Sequence, residues 1–229
     1  LERVPQLDEW IDSTQKDLKK WPDWQAAIKT VHAPKSIGDL AQTVPARERL
    51  AYDEFMAHQL TLGLARANRR RAPGVESHGS GTLRNQVLSG LPYKPTGAQL
   101  RAIDEITADL ASPQRMNRLL QGDVGSGKTL VAFMALLAVV EAGGQGVMMA
   151  PTEILARQHL EGLQPLAESA GVVFELLTGR DKGREREAKL SALKEKKIQI
   201  LVGTHAVFQK DVEFSDLRLA IVDEQHRFG

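Results

Sequence analysis

The 229-residue sequence predicts an α/β fold: a parallel sheet, incomplete within this chain, preceded by a smaller and mainly helical region. Two observations predict it. Up to about residue 89, apolar residues recur at helical spacing without sustained β-branched runs. From residue 91 onward, short apolar segments alternate with longer helical ones, as in repeated β-α units. We therefore expect residues 1–89 to form a helical linker or spacer and residues 90–229 to form an α/β domain.

The helical region is predicted to contain one long helix, from about residue 46 to residue 68. Pro45 suits the first turn of such a helix, and Pro73-Gly74 ends it. The helix carries a predicted apolar stripe of five residues: Leu50, Phe55, Met56, Leu60 and Leu64. The next segment, residues 74–90, is rich in glycine and serine and is predicted to be a loop. Three tryptophans near the start are interpreted as core residues of a small helical unit: Trp10, Trp21 and Trp24.

The predicted strands are apolar throughout rather than alternating, which is typical of strands buried on both faces. They lie at residues 118–121, 145–150, 172–177, 198–202 and 217–223. Helices are predicted between them, at residues 127–142, 153–170 and 183–196. Gly143-Gly144 and Gly171 follow the first two of these helices and are expected to end them.

Composition restricts the class of protein. With 30 basic and 29 acidic residues, the net charge gives no indication of nucleic-acid binding, so any DNA contact must come from local placement. The absence of cysteine excludes disulfides and thiolate metal sites, and the six histidines show no paired metal-ligand spacing. The longest apolar run, residues 130–140, is too short to cross a bilayer. We expect a cytoplasmic protein with no membrane association.

Residues 122–129 match the phosphate-binding P-loop pattern at every fixed position, with a predicted strand before them and a helix after them. The loop's backbone N–H groups would surround a phosphate at a helix N-terminus. Lys128 would reach the β- and γ-phosphates, and the Thr129 hydroxyl would complete a magnesium shell. The pattern predicts an ATP site, with Mg²⁺, formed by Gly122, Gly125, Ser126, Gly127, Lys128 and Thr129. The alternative interpretation is a glycine-rich turn between a strand and a helix.

Asp223-Glu224 follows the last predicted strand, and ligands of parallel sheets gather at the carboxyl ends of strands. Asp223 would hold magnesium there, while Glu224 could orient and deprotonate an attacking water. The second acidic residue is expected of an ATPase and is not required by a small-molecule kinase. The expected catalytic residues are therefore Lys128, Asp223 and Glu224; an exposed acidic turn is the alternative.

Four segments resemble the RecG-type DNA helicases of superfamily 2: Leu119–Thr129, Ala150–Ala156, Gly203–Gln209 and Asp223–Gly229. The resemblance is specific from about residue 90 and looser before it. Ser126 and Gln225 favour this family over the transcription-repair coupling factors, whose motor is similar. The resemblance implies a RecA-like motor lobe that reaches its second helicase motif. It also implies a second lobe and a DNA-recognition domain outside this chain, and a strand between the P-loop strand and the Asp223 strand.

The resemblance also implies binding roles for residues outside the P-loop. Tyr93 and Gln99 align with a segment that contacts adenine, although the same residues suit an ordinary turn before a helix. Three predicted loops align with motifs that contact the DNA backbone: Pro151-Thr152, Gly179-Arg180 and Thr204-His205. Thr152 also suits a helix N-cap, and Arg180 could be a solvated loop arginine. His226 is expected to couple the ATP site to neighbouring motifs.

The activity implied by the resemblance is that of an ATP-dependent helicase or translocase that remodels branched DNA, such as stalled forks and Holliday junctions, in recombination and repair. It would contact branched or duplex DNA through its backbone. A coupling-factor-type translocase on duplex DNA and a non-catalytic nucleotide- or DNA-binding module remain alternatives. We expect the isolated chain to hydrolyse ATP negligibly. The second lobe supplies an arginine that contributes about 10³–10⁵ in rate in such motors.

Overall fold

The structure is a computed structural model that describes residues 4–71 and 73–227. The chain divides into two units between Arg69 and Arg70. No helix in the described ranges is both long and apolar enough to span a membrane.

The first unit is helical, as predicted. Its elements are α1 (Ser13–Lys19), α2 (Trp24–His32), a 3₁₀ turn (Ile37–Leu40) and α3 (Pro45–Arg71). The long predicted helix is confirmed, with Pro45 as its first residue. The predicted apolar stripe is wrong as a buried face, because Phe55, Leu60 and Leu64 are exposed. Leu60 and Leu64, four residues apart, share one face of α3, whereas Phe55 lies on the opposite side, so the three do not form one continuous face.

The first unit is held by an aromatic and ionic cluster at the start of α3. Trp10 stacks on Tyr52 with ring centroids 5.7 Å apart, and its indole N–H donates to Asp53 Oδ1 at 2.9 Å. Arg49, which is 1% exposed, lies between Glu9 and Asp53. Burial raises the pKa of the Asp53 carboxyl above its ordinary range, although the Arg49 charge opposes that rise. The expected core role holds for Trp21, which is buried, whereas Trp10 is half exposed.

The second unit is α/β. Its helices are α4 (Thr82–Gly90), α5 (Gly97–Leu110), α6 (Lys128–Glu141), α7 (Glu153–Ser169) and α8 (Gly183–Lys194). Its strands are β1 (Gln145–Met149), β2 (Phe174–Leu177), β3 (Ile200–Gly203) and β4 (Leu217–Val222). Two 3₁₀ turns follow strands, at His205–Phe208 and Gln225–Arg227. Gly143 and Gly171 adopt positive φ after α6 and α7, which confirms them as helix ends.

The four strands form one parallel sheet in the order β2-β3-β1-β4. Alternate residues of β1 face opposite sides of the sheet: Met148 packs with α6 and α7, whereas Val147 and Met149 pack with α8. Strands β1, β2 and β3 are therefore covered by helices on both faces, which confirms the predicted α/β architecture, whereas β4 at the edge is mostly exposed or half-buried. Gly203 is required by packing at the end of β3, because a Cβ there would collide with the Leu177 carbonyl of β2 and lie 2.6 Å from Val207 Cγ1.

The predicted strand at residues 118–121 is wrong. These residues are in no strand of the described sheet, and Leu119 is largely exposed. A strand exists only when a neighbour accepts its hydrogen bonds. Both sides of β1 and β3 are already paired, so only the outer edges of β2 and β4 remain, and residues 118–121 pair with neither.

The predicted loop at residues 74–90 is wrong in its second half, where α4 lies. Val87 of α4 is buried in the core with α6. The carboxylate of Glu141, at the end of α6, accepts N–H bonds from Gly81 (2.9 Å), Leu83 (2.6 Å) and Arg84 (3.2 Å). Side-chain contacts from more than 50 residues away thus make a glycine- and serine-rich segment helical. The units accordingly divide at residues 69–70 rather than at the expected 89–90.

Candidate nucleotide and nucleic-acid site

Four predicted loops lie at one edge of the sheet. The last residues of neighbouring strands are in register, with Met149 paired to both Gly203 and Val222, and Gly203 paired to Leu177. Because all pairings are parallel, the residues that follow these strands emerge at the same edge. That edge, which we call the carboxyl edge, carries Pro151-Thr152, Thr178-Gly179-Arg180, Thr204-His205 and Asp223-Glu224.

The P-loop precedes α6 and is folded around the side chain of Lys128. The ammonium group donates to the carbonyl oxygens of Gly122 (2.7 Å) and Asp123 (2.8 Å). Gly125 and Gly127 have φ of +79° and +78°, a conformation that favours glycine. Lys128 is thus held inside the loop by two uncharged acceptors, which phosphate oxygens could replace.

The start of α6 suits an anion. Gly127 is its N-cap residue, and no side chain caps that end. The first N–H groups of a helix have no partner within the helix, and the helix dipole favours negative charge there. Thr129 lies in the first turn and is only partly exposed. The N–H donors that bind a phosphate group are therefore grouped at the start of α6, as the P-loop sequence predicts.

Gln99, expected to contact adenine, contacts the P-loop. Its side-chain N–H donates to the Ser126 carbonyl at 2.9 Å, and its Oε1 accepts from the Thr96 N–H at 2.8 Å. A Cβ at Gly127 would collide with the Gln99 amide, so the contact depends on that glycine. Tyr93 is half exposed on the segment that precedes α5. Tyr93 lies before α5 and Gln99 lies in its first turn, and Gln99 is the one that contacts the loop.

Asp223 and Glu224 lie at the end of β4 in a tight turn. The Asp223 N–H donates to the Met149 carbonyl at 2.8 Å, which ties the turn to β1. Glu224 has φ of +50°, and its N–H donates to Asp223 Oδ1 at 3.0 Å. The other oxygen, Oδ2, lies 2.7 Å from Nε2 of His159 on α7. His226 is exposed and lies 3.4 Å from the Glu224 carboxylate.

His159 was missed by sequence reasoning. It lies in the middle of α7, 64 residues from its partner, and belongs to no recognised motif. The only available signal was its spacing: it lies three residues after Ala156 and four before Leu163, both of which are buried. That spacing places all three on the buried face of the helix.

The loop after β1 and the loop after β2 are joined at the start of α7. The Thr152 hydroxyl caps α7 by accepting the Leu155 N–H at 3.3 Å, as one interpretation expected. The Glu153 carboxylate, in the first turn, forms an ion pair with Arg180 at 3.1 Å. Arg180 remains 81% exposed, so its guanidinium keeps free donors beside the N-terminus of α7.

The loop after β2 is fixed by Asp181, which sequence reasoning also missed. Its Oδ2 accepts from the Thr178 N–H (2.6 Å) and hydroxyl (3.1 Å), and its Oδ1 pairs with Lys189 of α8 (2.6 Å). Burial alone would raise the pKa of Asp181, but the Lys189 and Thr178 contacts outweigh it and hold that pKa below its ordinary range. Gly179 and Arg180 therefore lie in a turn with a defined conformation.

The loop after β3 places its two predicted residues differently. Thr204 is buried, and its carbonyl accepts the Val207 N–H at 3.1 Å. His205 is exposed at the start of the 3₁₀ turn. Of this pair, His205 alone presents its side chain to solvent at the carboxyl edge.

In the described part of the chain, no group of three or more histidine, aspartate or glutamate side chains could hold a metal ion. A hydroxyl and a carboxylate, as in Thr129 and Asp223, suit Mg²⁺ only if nucleotide phosphates and water supply its other oxygen ligands. The residues present therefore fit magnesium that arrives with a nucleotide.

The DEAD/DEAH box helicase family matches residues 96–229, which is more than half of the chain. The chain belongs to the DEAD/DEAH box helicase family. The match begins at Thr96, the N-cap of α5, and includes the P-loop and the whole carboxyl edge. The helical first unit lies outside the part assigned to the DEAD/DEAH box helicases.

Among individual relatives, the chain is 47% identical to the ATP-dependent DNA helicase RecG of Bacillus subtilis (strain 168) over 211 residues, or 92% of its length. It is 43% identical to RecG of Escherichia coli (strain K12) over 207 residues, or 89% of its length. A solved structure of RecG bound to a three-way DNA junction matches 97% of the chain with a TM-score of 0.75 and 41% identity. The predicted resemblance is confirmed. The chain spans about 30% of the length of each of these proteins.

Proposed function

We propose that this chain is part of the motor of an ATP-dependent DNA helicase that remodels branched DNA, such as stalled forks and Holliday junctions, in recombination and repair. The observation that carries the proposal is the carboxyl edge, where an acidic pair and three donor-bearing loops emerge together in a chain that also has a P-loop of the required sequence. The kinship with RecG supports branched DNA as the substrate. The second unit would be the first motor lobe, and the helical first unit a spacer.

The nucleotide would be held by the P-loop. Lys128 would leave the Gly122 and Asp123 carbonyls and pair with the β- and γ-phosphates, while the uncapped start of α6 donates N–H bonds. Thr129 and Asp223 would hold Mg²⁺, which supplies charge neutralisation of the phosphate oxygens. Glu224 would orient the attacking water and accept its proton.

Base and DNA contacts are proposed at the surrounding loops. Tyr93 would stack on adenine, and Gln99 would pair with its edge while remaining close to the P-loop. The DNA backbone would be contacted by Pro151, Thr152, Gly179, Arg180, Thr204 and His205. N–H, hydroxyl and guanidinium donors recognise phosphates without reading bases, which suits a motor that must move along any sequence.

Hydrolysis by the isolated chain should be negligible. A second motor lobe would supply the arginine that stabilises charge on the transferring phosphate, a contribution of about 10³–10⁵ in rate. Lys128 would act on the phosphates from the P-loop side.

The test uses two proteins: the 229-residue chain, and a chimaera in which it replaces the corresponding part of Bacillus subtilis RecG, called the RecG chimaera below. ATP hydrolysis is measured without DNA, with linear duplex and with a model fork. We expect no turnover by the chain and fork-stimulated turnover by the RecG chimaera, lost in Lys128→Ala.

Equal stimulation by linear duplex and fork would favour a duplex translocase of the coupling-factor type. Lys128-dependent turnover by the chain alone would contradict the need for a second lobe. Nucleotide binding without turnover in the RecG chimaera would favour a non-catalytic binding module.

A further inference from the structure

One hydrogen bond joins two parts of the site that sequence motifs treat as separate. His159 lies on α7, and Asp223 follows β4; His159 Nε2 and Asp223 Oδ2 are 2.7 Å apart. The side chains are 13% and 32% exposed, respectively, so water competes with the contact only weakly. The bond therefore restricts both partners more than a fully exposed pair would.

The contact completes the orientation of the Asp223 carboxylate. Its Oδ1 is already engaged by the N–H of the next residue, Glu224, which turns back at a φ of +50°. With that bond alone, the carboxylate could still rotate and change the position of its other oxygen, Oδ2. His159 fixes the second oxygen and with it the plane of the carboxylate. Each carboxylate oxygen can accept two bonds, so both retain a position for a metal ion or its water.

The N-terminal end of α7 lies at the carboxyl edge. Thr152 caps the helix, and Glu153 in its first turn holds Arg180. His159 is seven residues beyond Thr152, which corresponds to about 10 Å along a helix. Ala156 lies between them and is fully buried, so this part of α7 is packed against the core. A displacement of the helix N-terminus would therefore move His159 by a similar distance.

We propose that His159 is a positioning residue that orients Asp223 for magnesium and couples backbone contact at the start of α7 to the nucleotide site. The inference rests on the proposed function, since it assigns Asp223 to the metal and the start of α7 to DNA. It adds to that function a route between the two sites: Thr152, the rigid first turns of α7, His159 and Asp223.

The first test measures binding of a fluorescent ADP analogue (mant-ADP) to the RecG chimaera at increasing Mg²⁺ concentration. His159→Ala should raise the Mg²⁺ concentration for half-maximal binding by about tenfold or more, because losing the partner of a metal ligand typically costs 10–100-fold. Binding in excess EDTA should not change. His159→Gln, whose amide can donate to Asp223, should restore most of the loss. The matched control is Gln158→Ala, an exposed residue on the same helix.

The second test measures the ratio of fork-stimulated to DNA-free ATP hydrolysis in the same variants. Coupling through His159 predicts that His159→Ala lowers this ratio by about tenfold while fork affinity stays within about twofold of the unsubstituted chimaera. Thermal melts establish that each variant is folded. A merely structural role would change the melt without shifting the Mg²⁺ midpoint or being rescued by glutamine.

The outcomes separate the two hypotheses. If the unsubstituted chimaera binds mant-ADP in a Lys128-dependent manner but His159→Ala behaves like Gln158→Ala in both assays, the coupling role is refuted and the proposed function stands. If the unsubstituted chimaera shows no Lys128-dependent binding, the proposed function fails and the role of His159 fails with it.

Discussion

Glu141 offers a direct test of how the second unit is built. Its carboxylate is almost fully buried, and Oε1 accepts the N–H groups of Leu83 and Arg84. Oε2 accepts the Gly81 N–H at 2.9 Å and Arg84 Nε at 3.2 Å. In Glu141→Gln one oxygen becomes an NH₂ group, which would face two donors. We therefore expect α4 to lose its attachment at this end.

The magnitude follows from the contacts that are lost. Hydrogen bonds to charged groups contribute about 1.5–3 kcal/mol each, and two of the four at Glu141 would be broken. Removing one partner of a buried ion pair costs about 3–5 kcal/mol. Both considerations predict that Glu141→Gln lowers the free energy of unfolding by about 3–5 kcal/mol, out of the roughly 5–15 kcal/mol available to a domain.

Two assays measure the effect. Urea unfolding followed by far-ultraviolet circular dichroism gives the free energy, and hydrogen exchange at residues 82–90 locates it. The matched control is Glu161→Gln on the exposed face of α7, where we expect a change within about 0.5 kcal/mol. A loss below about 1 kcal/mol, or unchanged exchange in α4, would refute the reasoning. Removal of residues 1–89 should destabilise the remaining domain at least as much, because it also removes the buried Val87.

Three further substitutions test the sheet, one loop and the P-loop. Gly203→Ala should destabilise the chain by about 3 kcal/mol in thermal melts, because its Cβ meets the backbone of Leu177. Asp181→Asn should destabilise by a constant amount between about pH 5 and 9, measured by urea unfolding. The lowered Asp181 pKa means that its contribution is present above the ordinary value of 3.8 and is lost as pH falls through the lower folded value. Burial alone would lower the pKa of Lys189, but the Asp181 contact raises it. The stability that Lys189 contributes is therefore fully present below its ordinary pKa of 10.5 and is lost only above that pH. Gln99→Ala should weaken mant-ADP binding by about tenfold, the equivalent of one hydrogen bond to the P-loop.

Each of these three has a control on an exposed helical face: Gly162→Ala, Glu187→Gln and Arg101→Ala, respectively. The control alanine at position 162 has open space around its Cβ and should be neutral or slightly stabilising. A Gly203→Ala chain as stable as its control would contradict the close approach of β2 and β3. A difference between Asp181→Asn and the parent that persists unchanged at pH 3 would contradict the lowered pKa. Equal mant-ADP affinity in Gln99→Ala and its control would show that the P-loop does not need this support.

The sheet could be predicted because its signals are local. The four strands from Gln145 to Val222 are short apolar runs, and Gly143 and Gly171 mark the preceding helix ends. Two of the wrong predictions, both in the second unit, depend on residues that are distant in sequence. Residues 118–121 have a strand-like composition but no neighbour in the described sheet. In contrast, α4 follows a glycine- and serine-rich stretch, and Glu141 caps it from the end of α6.

The positions of the residues at the carboxyl edge were predictable from chain order alone, since each of those loops follows a strand of a parallel sheet. The contacts between the loops were not. Arg180 pairs with Glu153, His159 with Asp223, and Gln99 with Ser126. Each contact joins residues 27 or more positions apart and depends on helix rotation or loop conformation, which no local pattern specifies.

These contacts change how nucleotide binding should be understood. Lys128 already has two acceptors, the Gly122 and Asp123 carbonyls, so a phosphate that pairs with this side chain must compete with those bonds. Binding is then an exchange, and its net free energy is smaller than the phosphate contacts alone suggest. Because Gln99 holds the Ser126 carbonyl in the same loop, a movement of the loop during this exchange would also disturb its contact with α5. A weak nucleotide affinity of the chain by itself would follow from this geometry, and the proposed second motor lobe would need to stabilise the exchanged state.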